Sequence, residues 1–92
     1  MAVNSITYVA EYLGTFFFIL AIFCSGGNPL IIGAALALAI YLIAPISSGH
    51  VNPAVSFAML LKGDLRVSHF IGYAVAQLLG GASAYYAYTL TH

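Results

Sequence analysis

The hydrophobic positions of this chain gather into three long runs and one short one, set apart by polar breaks. The first run, about Ile6 to Cys24, reaches roughly 28 Å as a helix. Ser25-Gly26-Gly27-Asn28-Pro29 reads as a turn, with Asn28 and Pro29 starting a second helix from about Leu30 to Ile46, roughly 26 Å long. Pro45 helps to stop it. The third run, about Phe70 to Leu90, reaches roughly 31 Å. Each is long enough to cross a bilayer, whose hydrocarbon core is about 30 Å thick.

The short run lies between the second and third. Ile46-Ser47-Ser48-Gly49-His50-Val51-Asn52 is polar and non-helical in character, and Asn52-Pro53 is a strong helix start, an N-cap residue followed by a proline at the first helical position. The helix runs from Pro53 to about Leu61, where Lys62-Gly63-Asp64 stops it. At roughly 14 Å it covers half a bilayer. A segment too short to span, between longer apolar ones, points to a re-entrant site at the membrane midplane. The expected fold is therefore an all-α membrane protein, one unit over 1–92, with spans at about 6–24, 30–46 and 70–90 and a half-helix at about 53–61.

Composition strengthens the membrane reading. Hydrophobic residues make up 63% of the chain, and the two acids and two cations (Glu11, Asp64, Lys62, Arg66) cannot coat a soluble domain of 92 residues. None of the runs resembles a removable signal peptide. A net charge of zero gives no reason to expect nucleic acid. Lys62 and Arg66 share one link, so the positive-inside rule puts residues 62–69 and the N-terminus in the cytoplasm. With a bias of only two charges, insertion in both orientations stays open.

Gly72, Ala76, Gly80 and Ala84 recur every fourth position, a stripe of small residues that lets another helix approach closely. Tyr85, Tyr86 and Tyr88, like Tyr8 and Tyr12, suit an interfacial aromatic belt. The single Cys24 cannot form an internal disulfide. His50, His69 and His92 lack companions at ligand spacing, so neither a metal site nor a cofactor is expected. No nucleophile and base stand together, so the chain does not read as an enzyme.

Three motifs carry a resemblance that covers nearly the whole chain. Ala10-Glu11-Tyr12-Leu13-Gly14-Thr15, the loop from Ile46 to Val55 and Tyr73-Ala74-Val75-Ala76-Gln77-Leu78-Leu79-Gly80 resemble, in order and spacing, the first half of a major intrinsic protein, the family of aquaporins and glycerol facilitators. The resemblance implies a fold of two inverted three-span repeats, each sending a half-helix inward so that two Asn-Pro-Ala turns meet mid-membrane. The half-helix dipoles then aim positive ends at the pore centre, which disfavours cations and protons. By the same resemblance, Asn52, Pro53 and Ala54 belong to the pore turn, with Asn52 both N-cap and solute contact. Glu11 and Gln77 hold the loop's freed backbone groups, as non-helical chain in a membrane requires, although a buried acid also suits a proton relay. His50 is a strut beside the pore, with pH sensing as the other reading. Gly14 joins the stripe as a close-packing position.

The chain departs from the family in having one signature loop, where members of about twice this length have two, the second followed by an arginine. Three spans and one half-helix leave half the membrane thickness unlined. The missing half would come from an inverted second copy or from another chain, or else the product is truncated and forms no pore. Carried over by spacing, the filter positions are Ile32, with Ile40, Gly49 and Val55 contributed by an inverted copy, giving identical apolar mouths without arginine. Ala39-Ile40-Tyr41-Leu42 resembles glycerol facilitators more than water-selective members, and Ser48 stands where the family usually has glycine. The expected function is a passive channel for water or small neutral solutes such as glycerol, and the resemblance implies four pores to an assembly. The alternative is a non-conducting membrane protein that packs through its small-residue stripe.

Overall fold

The computed structural model describes residues 2–92, and these form four α-helices and no strand. Helix α1 spans Ser5–Cys24, α2 Pro29–Ser47, α3 Pro53–Lys62 and α4 Val67–Thr91. Two of them, α1 and α2, are long and apolar enough to cross a membrane. The third expected span lies inside α4, whose 25 residues give about 37 Å. Polar residues such as Ser68, His69, Gln77, Ser83 and Thr89 keep α4 below the apolarity of the other two.

The helix ends are set by local chemistry. Asn4 begins α1 with a capping box: its side chain accepts from the Ile6 and Thr7 N–H groups, and its own N–H donates to Thr7 Oγ1. Asn28 accepts from Leu30 and Ile31 ahead of α2, with Pro29 at the first helical position. Helix α2 continues through Pro45 to Ser47, one residue beyond the expected end at about Ile46. The helix closes where Ser48 turns left-handed at φ 72°. Gly63, at φ 94°, ends α3: its N–H donates to the Leu60 carbonyl and that of Asp64 to the Met59 carbonyl, the paired bonds of a glycine C-terminus.

Helix α1 is the centre of the arrangement. It packs against α2 on one side and α4 on the other, while α3 packs against α4. Close approach to α4 depends on glycine: a Cβ on Gly80 would lie 2.6 Å from the Tyr12 carbonyl oxygen, and one on Gly72 would clash with the Tyr8 ring. Gly14 does the same work on the other side, where an added Cβ would meet Ile43 Cδ1 at 2.6 Å and Val51 Cγ1 at 3.1 Å. The small core of Ala10, Ala39, Ile43 and Val51 therefore joins α1, α2 and the α2–α3 loop. Large apolar side chains point outward, among them Leu30, Tyr41, Leu61 and Leu90, each more than 70% exposed.

Candidate functional site

Residues 48–52 link α2 to α3 through an unusual backbone. Ser48, Gly49 and Val51 all have positive φ, at 72°, 69° and 50°. For valine this is a true outlier, because its branched Cβ crowds the backbone there. Gly49 is needed twice over: besides its φ, a Cβ would come 3.1 to 3.3 Å from the Ile40 side chain and backbone. Such a conformation persists only when the surroundings over-determine it.

Those surroundings converge on Glu11. Its fully buried carboxylate accepts four hydrogen bonds. Oε2 accepts from Ser47 Oγ at 2.6 Å and the His50 N–H at 3.0 Å; Oε1 accepts from the Val51 N–H at 2.8 Å and Gln77 Nε2 at 3.0 Å. None of these donors is a cation, and the only ion pair among the described residues is the exposed Lys62–Asp64 contact at 3.2 Å. A buried carboxylate without a counter-ion is tolerable when its lone pairs are filled by N–H and O–H donors, which here belong to the loop and its neighbours.

Further bonds spread from this centre. Gln77 Nε2 also donates to Ser56 Oγ at 2.9 Å, and Ser56 Oγ lies 2.8 Å from His50 Nδ1. The His50 ring rests against Tyr73, with centroids 4.8 Å apart, and the Tyr73 hydroxyl donates to the Ser47 carbonyl at 2.7 Å. Glu11 from α1, Ser47 at the end of α2, Ser56 from α3, and Tyr73 and Gln77 from α4 thus meet around the loop.

Asn52, by contrast, is exposed. Its Oδ1 accepts from the Ala54 N–H at 2.8 Å, capping α3, and its amide nitrogen points no hydrogen bond at any described residue. The N-terminal end of α3, with its partial positive charge, accordingly faces open space beside an amide donor. Cavities meet the loop on both sides. One of about 460 Å³ touches Ser48, His50, Lys62 and Tyr73; the other, about 410 Å³, touches Val51, Asn52, Pro53, Thr15 and Gln77.

The remaining sequence-derived positions lie around this centre. Ala54 is exposed and Val55 half-buried, both on the first turn of α3; Ile40 touches Gly49, and Ile32 lies about two turns earlier on α2. Gly72 and Gly80 meet α1 of the same chain, and Ala76, Gly80 and Ala84 are buried. Sequence reasoning passed over Ser47, Ser56 and Thr15 and gave Tyr73 no role of its own. The signal was available: hydroxyl groups inside apolar helices need partners, and a buried acid needs several donors.

A profile described as Major intrinsic protein matches residues 27–91. The Glycerol uptake facilitator protein-like 6 of Lactiplantibacillus plantarum is 40% identical over 85 residues, covering 84% of this chain and 39% of that protein. The Probable aquaporin TIP5-1 of Arabidopsis thaliana is 34% identical over 95 residues, covering 84% and 37%. The Lens fiber major intrinsic protein of Gallus gallus is 39% identical over 66 residues, covering 68% and 25%. The chain thus spans about two fifths or less of the length of these relatives. No solved structure matches it significantly.

Proposed function

The chain belongs to the major intrinsic protein family, and from that premise we propose that it is a subunit of a passive transmembrane channel for water and small neutral solutes such as glycerol. Members of this family are channels and not enzymes. In this reading α1, α2 and α4 cross the bilayer, and α3, about 15 Å long, enters it halfway. Together they form half of an inverted repeat.

The observation that carries the reading is the pairing of an exposed Asn52 at the N-terminus of α3 with a loop whose inward backbone N–H groups end on buried Glu11. Backbone outside a helix is tolerated at membrane depth only when its polar groups are satisfied or line a water-filled space. Here the His50 and Val51 N–H groups are satisfied by Glu11, and the Asn52 amide is left for a solute. The α3 dipole adds a positive potential at the same point, which favours neutral solutes over cations and protons.

Asn52, Pro53 and Ala54 then form the central station, with His50 beside it. Ile32 lines one mouth together with Ile40, Gly49 and Val55 of an inverted second copy, or with the equivalent residues of another half-chain. Several such pores, four by family habit, assemble side by side. Residues 62–69 and the N-terminus face the cytoplasm in one orientation, and the two-charge bias permits the other as well. A Cys24→Ser, Asp64→Cys chain probed with an impermeant thiol reagent decides this: labelling from one side only rejects the inverted homodimer. The reading in which the chain merely packs through its small-residue stripe is weakened, because α1 of the same chain already covers Gly72 and Gly80.

The direct test is stopped-flow osmotic shrinkage and glycerol uptake in liposomes holding only this chain, beside Asn52→Asp and protein-free controls. The expected result is flux above the empty liposomes that changes in the variant. Flux equal to empty liposomes, from protein shown to be folded and inserted, rejects a pore made by this chain alone.

A further inference from the structure

Two buried side-chain oxygens, Thr15 Oγ1 and Gln77 Oε1, have no hydrogen-bond partner among the described residues. The residues are only 3% and 1% exposed. Buried polar atoms left unpaired are rare in folded proteins, and the usual resolution is an ordered guest that carries hydrogen-bonding groups.

The orientation of the Gln77 amide is fixed by its surroundings. Only its nitrogen can donate to the Glu11 carboxylate, at 3.0 Å, and to Ser56 Oγ, at 2.9 Å, so the oxygen lies on the other arm and is purely an acceptor. The Thr15 hydroxyl does not bond back to the carbonyl one turn earlier, a common resting place for a helical threonine, and retains both a donor and acceptor capacity. The two side chains both belong to the α1–α4 seam, Thr15 about one turn along it from the Glu11–Gln77 contact. A Cβ on Gly80, one turn after Gln77, would come 3.1 Å from Thr15 Cβ. Both residues also line the 410 Å³ cavity shared with Asn52 and Pro53, whose remaining wall is mostly apolar.

We propose that Thr15 and Gln77 form a binding position for one hydroxyl-bearing guest, either a water molecule or a hydroxyl group of a small polyol. The guest's O–H donates to Gln77 Oε1, and its oxygen accepts from the Thr15 hydroxyl. Both protein oxygens are shielded as the side chains stand, so the guest enters as Thr15 turns about its Cα–Cβ bond and is then enclosed. The position is a holding site beside Asn52, and it follows from the unpaired oxygens whether or not the chain conducts.

Gln77 is the only glutamine, so glutamine-selective ¹⁵N labelling yields a single side-chain amide signal. In deuterated micelles, cross-relaxation from water or from glycerol C–H protons to that amide is measured for the wild type, Thr15→Ser and Thr15→Val. A long-lived water cross-peak, or a glycerol cross-peak that replaces it on adding the polyol, is expected in the first two and reduced several-fold in Thr15→Val. Water alone identifies the guest as water; displacement identifies a polyol site. Absence of both signals from the wild type overturns the proposal, as does an undiminished signal in Thr15→Val. Should Thr15→Val fail to fold, the wild type and Thr15→Ser decide by the same signals.

Discussion

Val51, a branched residue held at φ 50°, donates its N–H to Glu11 Oε1 at 2.8 Å, so the most strained residue of the loop is tied directly to the one buried acid. A valine in this region costs on the order of 1–3 kcal/mol. The charge-assisted bond offsets a comparable amount, about 1.5–3 kcal/mol, and Val51 also buries its side chain against Gly14. Loop shape and carboxylate are therefore coupled: loss of one releases the other.

Glu11→Gln should expose that coupling. The amide keeps a single oxygen and presents an NH2 group to donors that need acceptors, breaking at least two of the four bonds. Unfolding in mixed micelles, followed by circular dichroism, is expected to show a loss of at least about 3 kcal/mol, with solute flux falling alongside. A variant as stable as the wild type would mean that the carboxylate does not hold the loop.

Ser48 also has a positive φ, at 72°. Ser48→Ala and Ser48→Gly both remove the hydroxyl, but only glycine relieves the backbone. The glycine variant is expected to be more stable than the alanine variant by about 1 kcal/mol. Equal stability would show that the loop relaxes away from the left-handed conformation.

Gly80 and Gly81 are adjacent but face different surroundings. An added methyl at Gly80 meets the Tyr12 carbonyl at 2.6 Å, whereas at Gly81 the nearest atom is Ile19 Cγ1 at 3.9 Å. Gly80→Ala should therefore destabilise the chain by about 1–3 kcal/mol by forcing α1 and α4 apart. Gly81→Ala should be neutral or stabilising by up to about 1 kcal/mol, since alanine favours the helix. The reverse order would rule out the seam at Gly80.

Val55→Arg tests the proposed mouth. The side chain leaves the first turn of α3 at a half-buried position, and a guanidinium there narrows the path and adds polar contacts. Glycerol flux is expected to fall several-fold while water flux survives. Unchanged glycerol flux in a folded, active variant would remove Val55 from the lining.

What the sequence makes legible is largely what depends on local chemistry. Asn28-Pro29, Asn52-Pro53 and Gly63 mark helix ends because cap chemistry acts within a few residues, and the structure has helix ends at those places. Pro45 sits two positions before the last residue of α2, where a proline loses one bond and can still be carried. The long polar α4 was harder to delimit, since Val67, Ser68 and His69 extend it without adding to the apolar run. Around the loop, the convergence of Ser47, Ser56 and Tyr73 depends on contacts between residues far apart in the chain, and no local pattern encodes which hydroxyl meets which carbonyl. The positive φ of Val51 is invisible for the same reason, because nothing in valine's own preferences suggests it.

The spacing of Glu11 from its donors sets an order of events during synthesis. Ser47, His50, Val51 and Gln77 follow it by 36, 39, 40 and 66 residues. At about 5–20 residues per second, the ribosome delivers Gln77 roughly 3–13 s after Glu11. For that interval α1 carries an acid whose later acceptance by the chain has not yet happened, and a charge in mid-bilayer costs a few kcal/mol by insertion measurements. Until α4 emerges, the Glu11 carboxylate therefore lacks one of its four donors. Closure of the carboxylate site thus waits on α4, although the helix around which the described residues pack is α1.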